Sequence, residues 1–293
     1  MNKITKAIIP VAGYGTRRLP ITKAIEKCML PIGNRPIVDY VVGDCIAAGI
    51  TEIYFVVNEH SAQIREYYGR NRKFEKYLAA KGKTVQLEQI QPSKKVRFHY
   101  IEQPQSDKYG TAVPVALALK KIGMGQPVLV VMGDDFLYYH DNKLSGRAPR
   151  SEIVARHSDF KRLIESRKND DEAAMLAAQI APEEVSRYGV LDLDKQGNFA
   201  GIIEKPTPEN APSNLINISK YVFPPRLLEL VANFNHDAPT CDSEYFITDQ
   251  VNKFVQIGGV VKVVKTGGEY LDGGSLEGWL HANEVVGRDL LKS

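Results

Sequence analysis

Short apolar runs punctuate the chain at Ala7 to Val11, Ile53 to Val57, Val96 to Ile101 and Val128 to Met132, and several are apolar at every position rather than at alternate ones. That pattern predicts central strands of a sheet covered on both faces. Helical patterns lie between them. "PIVDYVVGDCIAAG" opens with Pro36, a good first-turn residue, and ends at Gly49, a natural C-terminal cap before the next strand. Ala112 to Lys121 reads as a second helix, leading into Val128 to Met132. Strand, helix and strand in succession predict an α/β fold, Rossmann-like and doubly wound, with a mainly parallel mixed sheet flanked by helices.

Gly69 to Lys95 interrupts this rhythm with a charged, helical insertion in which Phe74, Tyr77 and Leu78, at i, i+3 and i+4, predict one packed face. Further on, Gln196-Gly197-Asn198 predicts a hairpin turn between strands Val190 to Leu193 and Phe199 to Glu204. A strand ending near Phe223, a helix from about Ser243 to Gln256, a strand Val260 to Val264 and a C-terminal helix near 275–291 complete the reading. The expectation is one domain over residues 1–293.

Composition narrows the function. With 38 lysines and arginines against 35 acidic residues, the net charge of +3 lacks the signature of a nucleic-acid binder, so any cationic site is local. The three cysteines, Cys28, Cys45 and Cys241, lack CxxC spacing and predict inert thiols in a reducing cytoplasm. No apolar run reaches the roughly 20 residues of a membrane helix. A soluble, cytoplasmic protein with no membrane partner is expected.

The chemistry concentrates in "KAIIPVAGYGTRRLPITKAIEKCMLP", Lys6 to Pro31. A glycine-rich turn after a strand is a phosphate cradle, since backbone N–H groups converge where no β-carbon obstructs them. Neither GxGxxG nor GxxxxGK[ST] is present, because Arg18 stands where a third glycine would fall. Arg17, Arg18, Lys23 and Lys27 crowd this proline-stiffened segment, and such like charges repel unless an anion lies among them. A triphosphate meets that need.

"VAGYGTRRLPITKAIEKCMLP" resembles the signature of the sugar-phosphate nucleotidyltransferases, and the likeness continues in order through "KYGTAVPVALAL", "SRYGVLDLD", "EKPTPENAPSNL", "YFITDQV" and "EYLDGGSLEGW". Thr-Lys-Ala-Ile after Leu-Pro, and the insertion itself, resemble the family's bacterial branch that uses UTP and glucose 1-phosphate. The chain departs from the usual Pro-Lys-Glu-Met-Leu-Pro in having Glu26 before Lys27 and Cys28 after it.

The resemblance implies uridylyl transfer from UTP to glucose 1-phosphate, giving UDP-glucose and pyrophosphate, with Mg2+. It implies catalytic roles for Arg17 and Lys27, nucleotide contacts from Ala12, Gly13, Gly15, Thr16, Gln103 and Gly110, and metal ligation by Asp134 and Asp272. Gly189, Glu204, Lys205 and Asn214 fall to the sugar phosphate, and a homodimer or homotetramer is implied. Gln103 suits uracil on its own chemistry, because an amide donates and accepts at once. Asp134 ends a hydrophobic strand at the edge where open α/β sheets bind ligands. Two other readings stay open here: thymidylyl or other nucleotidyl transfer to a different hexose 1-phosphate, and a non-catalytic sugar-nucleotide-binding regulator.

Overall fold

The computed structural model describes residues 1–105, 109–140, 158–234 and 244–292. Its centre is a sheet whose strands run β10-β9-β11-β6-β1-β4-β5, with β8 and then β12 attached to β11. β1 is Lys6–Pro10, β4 Glu52–Val57, β5 Arg97–Glu102 and β6 Val128–Val131. These four are parallel, in registers such as Ala7↔Ile53, Ile8↔Val130 and Phe55↔Tyr100. The rest of the sheet mixes in antiparallel pairs: β11 (Leu215–Phe223) runs against β6, β8 (Ala173–Gln179) and β9 (Gly189–Leu193), and β10 (Phe199–Glu204) against β9. β12 (Val261–Lys265) is parallel to β8.

Successive residues of β1 serve opposite cores, Ile8 on one face and Ala7 and Ile9 on the other. Helix α1 (Ile37–Ala47) covers the second face and α5 (Ala112–Ile122) the first, with every residue of β6 buried between them. This two-sided burial is why the strands read as unbroken apolar runs. Two small ribbons lie off the main sheet: β2 (Pro31–Ile32) with β3 (Arg35–Pro36), and β7 (Asp135–Tyr138) with β13 (Glu269–Asp272).

The insertion contains α2 (Gln63–Tyr68), α3 (Arg72–Ala80) and α4 (Thr84–Gln89). The packed face expected there is corrected: Leu78 is buried, but Phe74 and Tyr77 stay exposed and stack on each other at 6.3 Å. Helices α6 (Asp159–Glu165), α7 (Pro225–Ala232), α8 (Ile247–Gln256) and α9 (Leu276–Lys292) complete the described chain. Cys28 and Cys45 are buried free thiols, whereas Cys241 lies outside the described residues. No helix among the described residues is long and apolar enough to cross a membrane.

Candidate active site

β4 and β5 lie on one side of β1 and β6 on the other, so the order of connection reverses at β1, and the loops after all four strands emerge at their carboxyl edge. Open α/β sheets bind ligands at such a switch point. A cavity of about 610 Å3 opens there, lined by Ala12 and Gly13 after β1, Asn58 and Glu59 after β4, Gln103 and Gln105 after β5, and Asp134 after β6. Tyr14, Lys27, Gly110 and Thr111 also line it.

The glycine loop presents unused donors. The backbone N–H groups of Ala12, Gly13, Tyr14 and Gly15 have no acceptor among the described residues, which makes the loop a nest for an anion. Asn58 Nδ2 donates to Ala12 O at 3.2 Å and fixes the loop against the end of β4. Gly15 has φ +67, and a β-carbon there would come within 3.0 Å of Lys27 Cβ and Thr22 Cγ2. The glycine therefore lets the Lys27 stem pass against the turn, which aims its ammonium inward.

Lys27 Nζ pairs with Asp134 Oδ2 at 2.7 Å. Asp272 meets them from the far end of the chain: a side-chain carbon built on Gly274 would sit 3.0 Å from Asp272 Oδ1, 3.2 Å from Lys27 Nζ and 3.4 Å from Asp134 Oδ2. Asp272 is oriented by Gly274 N–H at 2.7 Å and by the Ser275 hydroxyl at 2.7 Å. Burial raises Asp134, but Lys27 and, behind it, Lys220 outweigh this and hold the carboxyl below its ordinary range. Two carboxylates converging on one point suit a hard divalent cation that fills its shell with phosphate and water. Among the described residues no group of three or more His, Cys, Asp or Glu is placed to hold a metal, so an all-protein cage is not on offer.

Lys220 was not singled out by the sequence reading. β11 bulges between Asn217 and Tyr221, with Ser219 at φ +54, and the bulge turns Lys220 inward to 1% exposure. Its ammonium pairs with Asp135 Oδ1 and donates to Met132 O at 3.3 Å and Ile218 O at 3.1 Å. Tyr270 donates to the other Asp135 oxygen at 3.0 Å. Burial pushes Asp135 up to about 6, against the pull of Lys220.

Just after β5, Gln103 Oε1 is buried with no hydrogen-bond partner, while the Gln103 backbone N–H is spent on Val57 O. A buried amide oxygen without a donor is a place where a ligand N–H belongs. Gly110 has a structural reason to be glycine: at φ +116, a β-carbon would lie 2.4 Å from Tyr245 O and 2.5 Å from Tyr245 N. The glycine admits the backbone of 244–245, which pairs with Tyr109.

Of the residues expected at the sugar phosphate, Gly189, Glu204 and Lys205 gather at the open end of the β9–β10 hairpin and Asn214 precedes β11, all outside the cavity lining. Gly189 and Glu204 are register partners, and a β-carbon on Gly189 would meet Glu204 Oε1 at 3.0 Å. Lys205 is exposed and takes φ +47, rare for a residue with a side chain, while its N–H holds Tyr188 O at 3.0 Å. Tyr188 is raised chiefly by burial and also by the Asp272 carboxylate. Asn214 is engaged structurally, its Nδ2 on Ile180 O at 3.0 Å.

Arg17 and Thr16 are exposed just beyond the glycine loop, and Arg17 lines a second cavity of about 410 Å3 with Leu276 and Trp279 rather than the first. Its neighbour Arg18 is buried, reaches Ser275 O at 2.5 Å and lies over the Trp279 ring at 4.9 Å. Arg18 thus ties the loop to α9. The two departures from the family signature also have structural places: Glu26 Oε1 accepts from Gln63 N at 2.7 Å at the start of α2, and Cys28 is buried, which drives its thiol strongly upward.

The sequence model of the nucleotidyl transferase family matches residues 6–288. The chain belongs to this family. It is 31% identical over 256 residues to the UTP–glucose-1-phosphate uridylyltransferase of Streptococcus pneumoniae serotype 4, covering 86% of this chain and 80% of that protein. Its fold is similar to the UTP-bound UGPase of Acinetobacter baumannii, with TM-score 0.79 and 28% identity over 97% of this chain and 93% of that one. A UDP-glucose pyrophosphorylase complexed with UDP-glucose gives TM-score 0.76 at 28% identity, covering 97% and 99%. Within the family frame, Asn58, Glu59, Tyr14 and Gln105 are cavity residues that sequence reasoning passed over. The rule that placed Asp134, the first polar residues beyond a parallel strand, would have found Asn58 and Glu59 after β4.

Proposed function

We propose that this chain transfers the uridylyl group of UTP to glucose 1-phosphate, releasing UDP-glucose and pyrophosphate. The observation that carries the reading is the convergence of Lys27, Asp134 and Asp272 beside a cavity that Gln103, whose amide oxygen is unpaired, also lines. The names of the relatives and of the ligand-bound structures support the choice of substrates.

The nucleophile is a phosphate oxygen of the sugar phosphate, already anionic near neutrality because the second pKa of a phosphate monoester is about 6. The site needs no general base, and no histidine lines the cavity among the described residues. Gln103 Oε1 accepts the uracil N3–H, and the open N–H groups of Ala12 to Gly15 cradle the phosphates. Lys27 holds positive charge at the reacting phosphorus, and Arg17, exposed and without an ion-pair partner among the described residues, takes the outer phosphates. Glu204 accepts from sugar hydroxyls and Lys205 holds the sugar's phosphate, each placed by the β9–β10 hairpin. Asp134 and Asp272 would hold Mg2+, which would supply neutralising charge to the phosphates. The thiols of Cys28 and Cys45, buried and free, support a reducing, cytoplasmic setting, and Leu276 and Leu280, exposed on α9, support assembly into a dimer or tetramer.

A matrix of nucleoside triphosphates against sugar 1-phosphates, read by pyrophosphate release, tests the reading. The expected optimum is UTP with glucose 1-phosphate, with turnover abolished in Asp134→Ala and KM for the sugar phosphate raised in Lys205→Ala. Unchanged kinetics in both variants defeats the assignments.

A further inference from the structure

The cavity is lined by the amides Asn58, Gln103 and Gln105 and by the Lys27–Asp134 pair, and the proposed nucleotide occupies it. What lies between a base and its phosphates is a sugar, whose polar groups are hydroxyls that need acceptors. Apart from Asp134, Glu59 is the only carboxylate lining the cavity among the described residues. A negative charge beside a polyanion is unfavourable unless it makes a specific bond.

Glu59 is also a built group. Its Oε1 accepts from the Tyr14 hydroxyl at 2.7 Å and from Gln105 Nε2 at 2.6 Å, and Gln105 Nε2 lies 3.1 Å from the Tyr14 oxygen. Tyr14 comes from the loop after β1, Glu59 from that after β4 and Gln105 from that after β5, so three strand ends fix one carboxylate. The Tyr14 hydroxyl is the largest influence holding Glu59 down at about 2, which keeps it an acceptor at every working pH. Oε2 takes no hydrogen bond from another side chain among the described residues.

We propose that Glu59 is a specificity-determining residue that accepts a hydrogen bond from a ribose hydroxyl of the nucleotide and so selects ribonucleotides over deoxyribonucleotides. The inference rests on the uridylyl-transfer reading and deepens it, because it makes the sugar, and not the single methyl between uracil and thymine, the feature that separates UTP from dTTP. A methyl in a pocket gives only about 10- to 200-fold discrimination, whereas a site built around a hydroxyl rejects the analogue that lacks it much more strongly. Tyr14 and Gln105 are positioning residues that hold the carboxylate in place.

The experiment compares UTP, 2′-deoxy-UTP and 3′-deoxy-UTP in the wild-type protein and in Glu59→Gln and Glu59→Asp, by steady-state kinetics and by calorimetric binding of each nucleotide alone. Glutamine keeps one oxygen for Tyr14 and puts an amide donor where the second acceptor stood. The wild type is expected to favour UTP over one of the deoxy analogues by more than about 200-fold, beyond what a methyl in a pocket supplies. In Glu59→Gln that ratio collapses toward unity, through KM rather than kcat, and Glu59→Asp recovers part of it. Equal losses for all three nucleotides, or a wild type that binds UTP and both analogues alike, overturns the proposal. A wild type that discriminates in binding but transfers no uridylyl group sinks the functional reading and leaves this inference standing.

Discussion

Lys220 gives a prediction whose size follows from the structure. Its side chain is 1% exposed, and its ammonium has three acceptors: Asp135 Oδ1 and the carbonyls of Met132 and Ile218. Lys220→Met fills much the same volume and removes the charge. Asp135, itself buried, then keeps only the Tyr270 hydroxyl at 3.0 Å, and two carbonyls lose a donor. Breaking a buried pair from one side costs about 3–5 kcal/mol, because the remaining ion keeps its desolvation penalty without its attraction. Equilibrium urea unfolding should show a loss of that order. The double variant Lys220→Met/Asp135→Asn removes both charges and leaves the amide oxygen of the new side chain as an acceptor for Tyr270, so it should recover roughly 2 kcal/mol or more relative to the single variant. A Lys220→Met protein within about 0.5 kcal/mol of wild type, the range of ordinary surface changes, would refute the reasoning.

Gly110→Ala places a β-carbon against the Tyr245 backbone at φ +116 and should lower stability by more than about 2 kcal/mol in the same assay, with Gly13→Ala, which meets nothing within 4 Å, near neutral. Gly189→Ala presses first on Ile202 Cδ1 at 2.7 Å and then on Glu204 Oε1 at 3.0 Å, and should raise KM for the sugar phosphate while leaving KM for UTP unchanged, as steady-state kinetics will show. His140 sits between Glu269 at 2.7 Å and Asp289 at 2.8 Å, and its hydrogen bond to Glu269, foremost, raises its pKa. A raised folded-state pKa means that the bond's contribution is complete below the unfolded value near 6.5 and disappears as pH rises through the folded one. Unfolding of wild type and His140→Gln across pH 5.5–8.5 should therefore converge at the alkaline end, and a constant gap would count against it.

The parallel core was legible because strands covered on both faces must be apolar throughout, which is how β1, β4 and β6 read. β8 was passed over because "AAMLAAQ" is built of alanines, whose propensity favours helix, and only the pairing of β11 on one side and β12 on the other draws it out as a strand. In the site, Lys27 and Asp134 stood out from charge crowding and strand-end position, and Asp272 from family resemblance. Lys220 gave no signal, since a lysine in "NISKYVF" reads as a solvent-facing strand position, and the Ser219 bulge that turns it inward is a tertiary event. Arg18 read as solvent-facing or supporting beside Arg17, and its burial against α9 is a tertiary event that local charge does not announce.

The β7–β13 ribbon pairs Asp135 with Asp272, so the spacing between Asp272 and Asp134, the residue before Asp135, is set by one rung of a ladder rather than by the long stretch of chain between them. Such a ladder counts residues in steps of two. A one-residue slip of β13 would swing Asp272 to the opposite side of the ribbon and dismantle the charge centre, while the main sheet, which shares no paired strand with the ribbon, would keep its register. The enzyme's reach across its own sequence is therefore set like a vernier: tolerant of what separates the marks, intolerant of a slip between them.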